Sequence, residues 1–149
     1  MYIHLVFAVR NRENVLSKEI RPRVYEYIGG ILTGLKHKPI FINGVSDHIH
    51  ILFGLNPAIS VSDTVHDIKR SSSLFINEKK LVQGRFSWQE GYGAFTISKS
   101  EIVNASRYIE NQETHHCVES FRDEYTDILR KNEIDYDPRF LFDFSDNSG

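Results

Sequence analysis

Residues 46–53 place two histidines inside an apolar run, and this arrangement constrains the fold more than any other part of the sequence. The run predicts a strand, whose side chains alternate between the two faces of a sheet. His48 and His50 therefore project from one face, and their apolar neighbours project from the other. Two imidazoles on one rigid face can bind a metal ion, although two buried histidines with ordinary hydrogen bonds would give the same pattern. We therefore expect a sheet with one apolar face and one histidine-bearing face.

The chain has 149 residues, enough for one hydrophobic core and too few for two comfortable domains. We predict a single domain over residues 1–144 and a disordered tail over residues 145–149. No apolar run approaches the roughly 20 residues that a membrane span needs, and no secretory signal is evident. The single cysteine, Cys117, excludes an internal disulfide and a cysteine-based zinc site. These features fit a cytoplasmic protein.

Hydrophobic periodicity predicts the order strand, helix, strand, strand, helix, strand, followed by further helices. The predicted strands cover residues 2–9, 39–45, 48–55 and 94–97. The predicted helices cover residues 22–35, 61–80, 102–116 and 119–132, and an aromatic segment over residues 135–144 is expected to pack on the body. Ser98 and Glu101 have the spacing of a capping box before the third helix. This order matches an α+β fold, a ferredoxin-like βαββαβ antiparallel sheet with helices on one face and added C-terminal helices.

The net charge of −2 argues against non-specific nucleic-acid binding, which usually needs a basic excess. The charges are unevenly spread, because acidic residues collect after position 119. Basic clusters occur at Arg10 and Arg12, at Lys36 and Lys38, at Lys69 and Arg70, and at Lys79, Lys80 and Arg85. The sequence is therefore compatible with a locally basic face.

The predicted third helix carries Tyr108 and Gln112 four residues apart, and hence on one face, with Asn104 one turn earlier. The core-facing stripe lies about a quarter-turn away and consists of Ile102, Ala105 and Ile109. A tyrosine at the edge of such a stripe usually packs against the core, and a glutamine there is usually solvated. The helix alone therefore does not distinguish packing from a functional site.

Together, the His-x-His strand and the later Tyr-x-x-x-Gln helix resemble the single-tyrosine HUH transposases of the smallest bacterial insertion sequences. The resemblance extends in order over nearly the whole chain. Its further motifs are Ile68-Lys69-Arg70-Ser71-Ser72, Trp88-Gln89-Glu90-Gly91-Tyr92-Gly93-Ala94-Phe95, and Tyr108-Ile109-Glu110-Asn111-Gln112 before His115-His116. Domesticated relatives associated with repetitive palindromes tend to carry Asn-Pro after the tyrosine motif, whereas this chain has Gln112.

The resemblance implies transposition of DNA through single strands. His48, His50 and Gln112 would ligate one divalent metal per site, Mg²⁺ or Mn²⁺, and Tyr108 would attack a DNA phosphate. The attack would form a 5′-phosphotyrosine link and release a 3′-OH, which a later exchange would use to rejoin the strands. The expected partners are single-stranded DNA with hairpin-containing element ends and a second copy of the chain, in a homodimer whose tyrosine helix can complete its partner's site.

Residues around this predicted site carry weaker expectations. The basic residues Lys69, Arg70 and Arg85 are candidates for phosphate contacts, although such residues often form only a solvated surface. Trp88 could stack on an unpaired base or pack in the core. Asp47 and Asn104 are candidates for outer residues that orient the ligands, although a turn residue is the more ordinary interpretation of Asp47.

Three alternatives remain open from the sequence. Tyr92 is a rival nucleophile, but it has no potential ligand four residues later. A non-catalytic binder of single strands, built on the same sheet, would not need Tyr108 or Gln112. A metal-dependent phosphodiesterase would release hydrolysed ends without a covalent intermediate, although the second His-x-Thr/Ser pair typical of such enzymes is missing. His115 and His116 are explained by the end of the predicted third helix, where positive charge is favourable.

Overall fold

The computed structural model describes residues 1–110, so the predicted fourth helix, the aromatic segment, the tail and Cys117 lie outside the described part. Its strands are β1 (Tyr2–Ala8), β2 (Lys38–Gly44), β3 (His48–Gly54) and β4 (Gly93–Ile97). Its helices are α1 (Arg21–Gly34), α2 (Val61–Glu78) and α3 (Ile102–Glu110). The predicted elements in this range are therefore present, with ends shifted by a few residues at most.

The four strands form one antiparallel sheet in the order β2-β3-β1-β4. The two strands that follow each other in the first hairpin, β2 and β3, are neighbours, while β1 inserts between β3 and β4. This order is that of the ferredoxin-like plan, and the predicted α+β fold is confirmed. The strand with the two histidines is therefore central, which makes it a rigid support for side chains on its surface.

The main hydrophobic core lies between one face of the sheet and helices α1 and α2. Alternate residues of the central strands enter this core, and each helix contributes one apolar stripe. The sheet residues of the core are Ile3, Leu5, Phe7, Ile49, Ile51 and Phe53, and the helix residues are Val24, Ile28, Leu32, Val65, Ile68 and Ile76. All are almost fully buried, so the period-two and helical patterns of the sequence identify this core correctly.

Helix α3 lies on the opposite face of the sheet, where it contacts β2 and β3. The side-chain amide of Asn43 donates a hydrogen bond to the carbonyl oxygen of Ile109 over 3.0 Å. Asn43 is the cross-strand partner of His50, so this bond joins α3 to the histidine-bearing face. The face that the sequence leaves available is thus partly covered by the first of the added C-terminal helices.

Two local features show how sequence sets the ends of these elements. Ser60 caps α2 by accepting a hydrogen bond from the backbone N–H of Asp63 over 3.0 Å, as a helix N-terminus requires. The capping box predicted at Ser98 does not form, because the Ser98 hydroxyl bonds to the Glu101 carboxylate over 2.8 Å. A short 3-10 turn over Lys99–Glu101 therefore precedes α3.

Gly44 ends β2 where the hairpin turns toward the histidines. A Cβ atom there would overlap the carbonyl oxygen of His48 and lie 2.9 Å from the Cα atom of Ile49. Only glycine fits this approach without moving the backbone of β3. The tight hairpin predicted around residue 44 is therefore also what fixes the start of the histidine strand. Among residues 1–110, no helix is long and apolar enough to cross a membrane.

Candidate active site

His48 and His50 stand next to each other on the face of the sheet opposite the main core. Their ring centroids are 5.3 Å apart, the rings meet at 70°, and both side chains are fully buried. The alternation of β3 sends both side chains to the same face, as the sequence predicts. Burial of two polar rings is costly unless their nitrogens have partners, so the hydrogen bonds of each ring determine what the pair can do.

The Nδ1 atom of His48 lies 2.7 Å from Oδ1 of Asp47, which is itself buried. A carboxylate only accepts, so Nδ1 carries the proton and Nε2 of the neutral ring carries the lone pair. The other carboxylate oxygen lies 3.7 Å from Nε of Arg12. Arg12 reaches this position from a short turn in which its own φ is +53°. The contact required for Asp47 to orient a ligand is therefore present.

The Nδ1 atom of His50 lies 2.8 Å from Nε2 of His4, a buried residue of β1 that the sequence analysis did not single out. The signal available in the sequence was the alternation of the first strand, which places His4 with Tyr2, Val6 and Ala8 on one face. That alternation does not reveal which strand lies alongside. Only the pairing of β1 with β3 places His4 next to His50.

Tyr108 extends from α3 beside this pair. Its ring centroid is 6.0 Å from that of His50, and the rings meet edge to face at 80°. Ile109, the next residue, is fully buried and holds α3 on the sheet through its bond to Asn43. Gln112 lies outside the described residues, so its role as a ligand remains a prediction.

The donor set fits a divalent metal ion. With nitrogen–metal bonds of about 2.1 Å, two imidazoles that share an ion have ring centres roughly 4.5–5.5 Å apart, and the observed separation of 5.3 Å falls in that range. The Nδ1 atoms of the two rings are engaged by Asp47 and His4, so Nε2 is the nitrogen of each ring that remains to face an ion. Among residues 1–110, no group of three or more His, Cys, Asp or Glu side chains is arranged to hold a metal. A third protein ligand would therefore be another residue type or lie beyond residue 110.

Two predicted accessory residues lie away from the histidine pair. Asn104 is exposed on α3, whereas Asp47 and His4 are hydrogen-bonded to the two histidines. Trp88 is only 5% exposed, and its indole N–H donates to the Ser72 hydroxyl over 2.9 Å. Of the two alternatives for Trp88, the structure therefore supports packing in the core. Its ring packs edge to face on Phe7 and Phe86 in the main core.

The basic residues differ in their surroundings. The Lys69 ammonium group donates to the carbonyl oxygens of Gln89 and Gly91 over 2.8 and 2.7 Å. Burial lowers the pKa of Lys69 to about 8, and the Glu90 carboxylate partly opposes this shift. Lys69 therefore holds the segment that leads into β4, and its ammonium group is engaged by protein oxygens. Arg70 is exposed, as predicted for a helix surface.

Arg70 and Arg85 each line a cleft on the protein surface. Arg70 lies in a cleft of about 480 Å³ between α2 and residues 87–92, with Tyr92, His66 and three serines. Tyr92 is therefore part of the α2 side of the molecule, where it is 37% exposed. Arg85 lies in a second cleft of about 460 Å³ together with Arg10 and Glu13.

These observations define an α+β protein with a ferredoxin-like sheet that carries two histidines and a tyrosine at one site. The sequence matches the family model of IS200-like transposases over residues 1–112, and the chain belongs to that family. It is 25% identical over 114 residues to the ISDra2 transposase TnpA of Deinococcus radiodurans, covering 73% of this chain and 81% of that protein. It is 28% identical over 114 residues to the transposase for insertion sequence element IS200 of Salmonella typhimurium, covering 73% of this chain and 74% of that protein.

Two solved structures share the fold. A putative transposase from Deinococcus radiodurans superimposes with a TM-score of 0.59 at 24% identity, over 75% of this chain and 90% of that one. A REP-associated tyrosine transposase bound to a REP hairpin superimposes with a TM-score of 0.61 at 14% identity, over 99% of this chain and 88% of that one. At these identities the structures show that the fold is shared.

Proposed function

We propose that this transposase nicks and rejoins single-stranded DNA through a covalent link to Tyr108, with a divalent metal bound by His48 and His50. The observation that carries the proposal is the position of the Tyr108 ring, 6.0 Å from the His50 ring on the histidine-bearing face. The family membership supplies the transposase role. The geometry supplies a nucleophile type and a pair of ligands at one place.

The proposed step is a transesterification. The phenolic oxygen of Tyr108 forms a bond to phosphorus, and the bond from phosphorus to the 3′ oxygen breaks. The phenol loses its proton, the leaving 3′ oxygen gains one, and nothing is oxidised or reduced. Because one phosphate ester replaces another, the same bond can later be attacked by a second 3′-OH to rejoin a strand, and no nucleotide hydrolysis is required.

The chain's own residues hold this reaction in place. A tyrosine hydroxyl ordinarily has a pKa of about 10 and is a weak nucleophile at neutral pH, so orientation at the phosphate matters. The Asn43 amide fixes α3, and thus Tyr108, against the sheet. Bound Mg²⁺ or Mn²⁺ would polarise the phosphate oxygens and stabilise the charge that develops there. Gln112 is the proposed third ligand, which completes a set of neutral donors.

Single-stranded DNA is the proposed partner, with Arg70 and Arg85 as the phosphate contacts that the structure favours. Both are exposed, and they line clefts of about 480 and 460 Å³. Lys69 is a weaker candidate, because its ammonium group is engaged by two carbonyl oxygens. We also propose a homodimer, an expectation from the family resemblance that light scattering of the purified protein tests directly.

The test is a denaturing-gel assay with end-labelled single strands that cover both flanks of the element, in Mn²⁺. The wild type is expected to give a slowly migrating covalent adduct, which Tyr108→Phe abolishes because it lacks the attacking oxygen. Tyr92→Phe is the matched control, since it removes a hydroxyl from the α2 side of the molecule. It is expected to keep the adduct.

Each other outcome of this assay would indicate a different activity or a different nucleophile. Cleavage without an adduct, unchanged in Tyr108→Phe, would indicate a phosphodiesterase that uses water. Loss of the adduct in Tyr92→Phe alone would transfer the nucleophile to that tyrosine. Binding without cleavage, on ends verified by a catalytically competent relative, would indicate a non-catalytic binder of single strands.

A further inference from the structure

We propose that His4 is a positioning residue that sets which nitrogen of His50 carries the proton, and thereby makes His50 a metal ligand. The inference rests on the proposed function, since it assumes that the histidine pair binds a metal. Its starting point is the 2.8 Å contact between Nε2 of His4 and Nδ1 of His50. Both rings are buried, and their centroids lie 5.1 Å apart at an interplanar angle of 39°.

One proton lies between these two nitrogens, and it can belong to either ring. If it belongs to His50, the Nδ1–H of His50 donates to His4, and the lone pair of His50 is on Nε2. If it belongs to His4, then Nδ1 of His50 accepts, and the neutral ring of His50 carries its proton on Nε2. Only the first arrangement offers Nε2 of His50 to an ion. The hydrogen bond between the two imidazoles is therefore also a choice between a binding and a non-binding tautomer.

The sheet fixes His4 in the place where it can make this choice. In the register of β1 and β3, the partner of His50 is Val6 and the partner of His4 is Leu52. His4 and His50 are thus diagonal neighbours on one face, within reach of long or aromatic side chains. On the other side, Phe95 of β4 is the cross-strand partner of His4 and packs on its ring at 6.2 Å, edge to face. His4 is held between two strands.

The two histidines of the pair are therefore oriented by different chemistry. The Asp47 carboxylate can only accept a hydrogen bond, so Nδ1 of His48 has to carry the proton. His4 is a neutral ring that accepts only when its own proton is on Nδ1. A neutral partner also adds no negative charge beside the ion. Replacing His4 by a side chain without an acceptor is expected to leave the fold of the sheet intact. His50 would then no longer be held in its Nδ1-protonated tautomer.

The test compares His4→Gln, which retains an acceptor, with His4→Phe, which retains a flat ring and has none. The first readout is the pair of ring ¹⁵N shifts of His50, measured by NMR in metal-free protein without DNA. We expect the Nδ1-protonated form in the wild type and in His4→Gln, and a shift toward the Nε2-protonated form in His4→Phe. The second readout is Mn²⁺ affinity, which should fall about 10- to 100-fold in His4→Phe and be largely restored in His4→Gln.

Several outcomes would overturn the assignment. An Nε2-protonated His50 in the metal-free wild type would do so by itself, whatever the variants show, and so covers the case in which His4→Phe does not fold. Equal Mn²⁺ affinities in the wild type and His4→Phe would also do so, as would a His4→Gln variant as weak as His4→Phe. Failure of the proposed function is distinguishable, because the ¹⁵N measurement requires neither DNA nor an adduct at Tyr108.

Discussion

At the scale of single residues, the chemistry of the site depends on outer residues that assign protons. Both rings of the histidine pair have Nδ1 bonded to a neighbour, at 2.7 Å for His48 and 2.8 Å for His50. With the tautomer proposed for His50, each ring presents the same atom, Nε2, from the same face. Two imidazoles with undefined tautomers would bind an ion only in the fraction of molecules that have both correct, so fixing them raises affinity without adding a ligand.

Asp47→Asn is expected to weaken Mn²⁺ binding by about 10- to 100-fold, because the amide lacks the charge that holds Nδ1–H of His48 and pairs with Arg12. Titration calorimetry of the metal-free protein measures the change. Ser46→Ala is the control in the same turn, since its hydroxyl bonds to Asn14 and not to His48. Equal affinities for Asp47→Asn and the wild type would show that this carboxylate does not orient a ligand.

The residues of the site differ in how far the sequence predicts them. His48 and His50 follow from the alternation of one strand, and Asp47 follows because it is adjacent in the chain. His4 does not follow, because its role depends on the register between two strands 46 positions apart. Trp88 was left between two alternatives for a similar reason: a large aromatic ring in a loop sequence looks the same whether it faces solvent or the core. Long-range pairing decides both cases.

At the scale of elements, a second buried histidine network ties the helix layer to the sheet. Nδ1 of His37 accepts from the backbone N–H of Asn56 over 2.8 Å, and its Nε2 lies 2.8 Å from the Thr64 hydroxyl. The Thr64 hydroxyl donates in turn to the carbonyl oxygen of Ser60 at the start of α2. The network joins the start of β2 to the N-terminus of α2 and requires a neutral ring, because a proton on Nδ1 would meet the Asn56 N–H.

This network predicts a loss of stability in acid. Burial lowers the pKa of His37 below its ordinary 6.5, so the unfolded chain binds a proton in a pH range where the folded chain does not. The contribution of neutral His37 to the free energy of unfolding is complete above about pH 6.5. It is lost as the pH falls toward the pKa of His37 in the folded chain, by at most about 1.4 kcal/mol per pH unit. Urea unfolding of the wild type and His37→Gln, from pH 7.5 to 5, measures this loss. The difference in free energy of unfolding between the two proteins should become smaller as the pH falls.

His66→Gln is the matched control for this comparison, since His66 is exposed on α2. The difference in free energy of unfolding between His66→Gln and the wild type should stay constant with pH. The other buried histidines are common to all three proteins and cancel in the differences. Parallel pH profiles for the wild type and His37→Gln would mean that protonation of His37 costs the fold nothing.

Elements were predicted better than their arrangement. The period of two gave the four strands, and the helical period with Ser60 gave α1 and α2, because these signals are local. The position of α3 on the histidine-bearing face was not predictable from its stripe, which says only that one side is buried. A tertiary contact, the bond from Asn43 to the carbonyl of Ile109, decides which face it covers.

At the scale of the whole molecule, the proposed active site and the cleft that contains Arg70 lie on opposite sides of the sheet. The histidines and Tyr108 occupy one face, while α2 and its cleft with Arg70 belong to the layer on the other. The segment over residues 87–92 lines that cleft and leads directly into β4 at the edge of the sheet. A DNA strand that reaches both the cleft and Tyr108 would therefore pass around the β4 edge, which Lys69 stabilises by holding the segment in place.

A chain with a net charge of −2 can bind such a strand only through local positive charge, and the salt dependence of binding measures how much. For single strands, the slope of log affinity against log salt concentration is about −0.7 per phosphate contact. Arg70→Gln and Arg85→Gln should each make the slope shallower by about 0.7, as measured by fluorescence anisotropy with a labelled oligonucleotide. Lys38→Gln removes the same charge from an exposed position on β2 and should lower affinity slightly with the slope unchanged. If all three variants shift the slope equally, the dependence reports overall charge and neither cleft contacts phosphate; a change in Arg70→Gln alone would place the strand along α2.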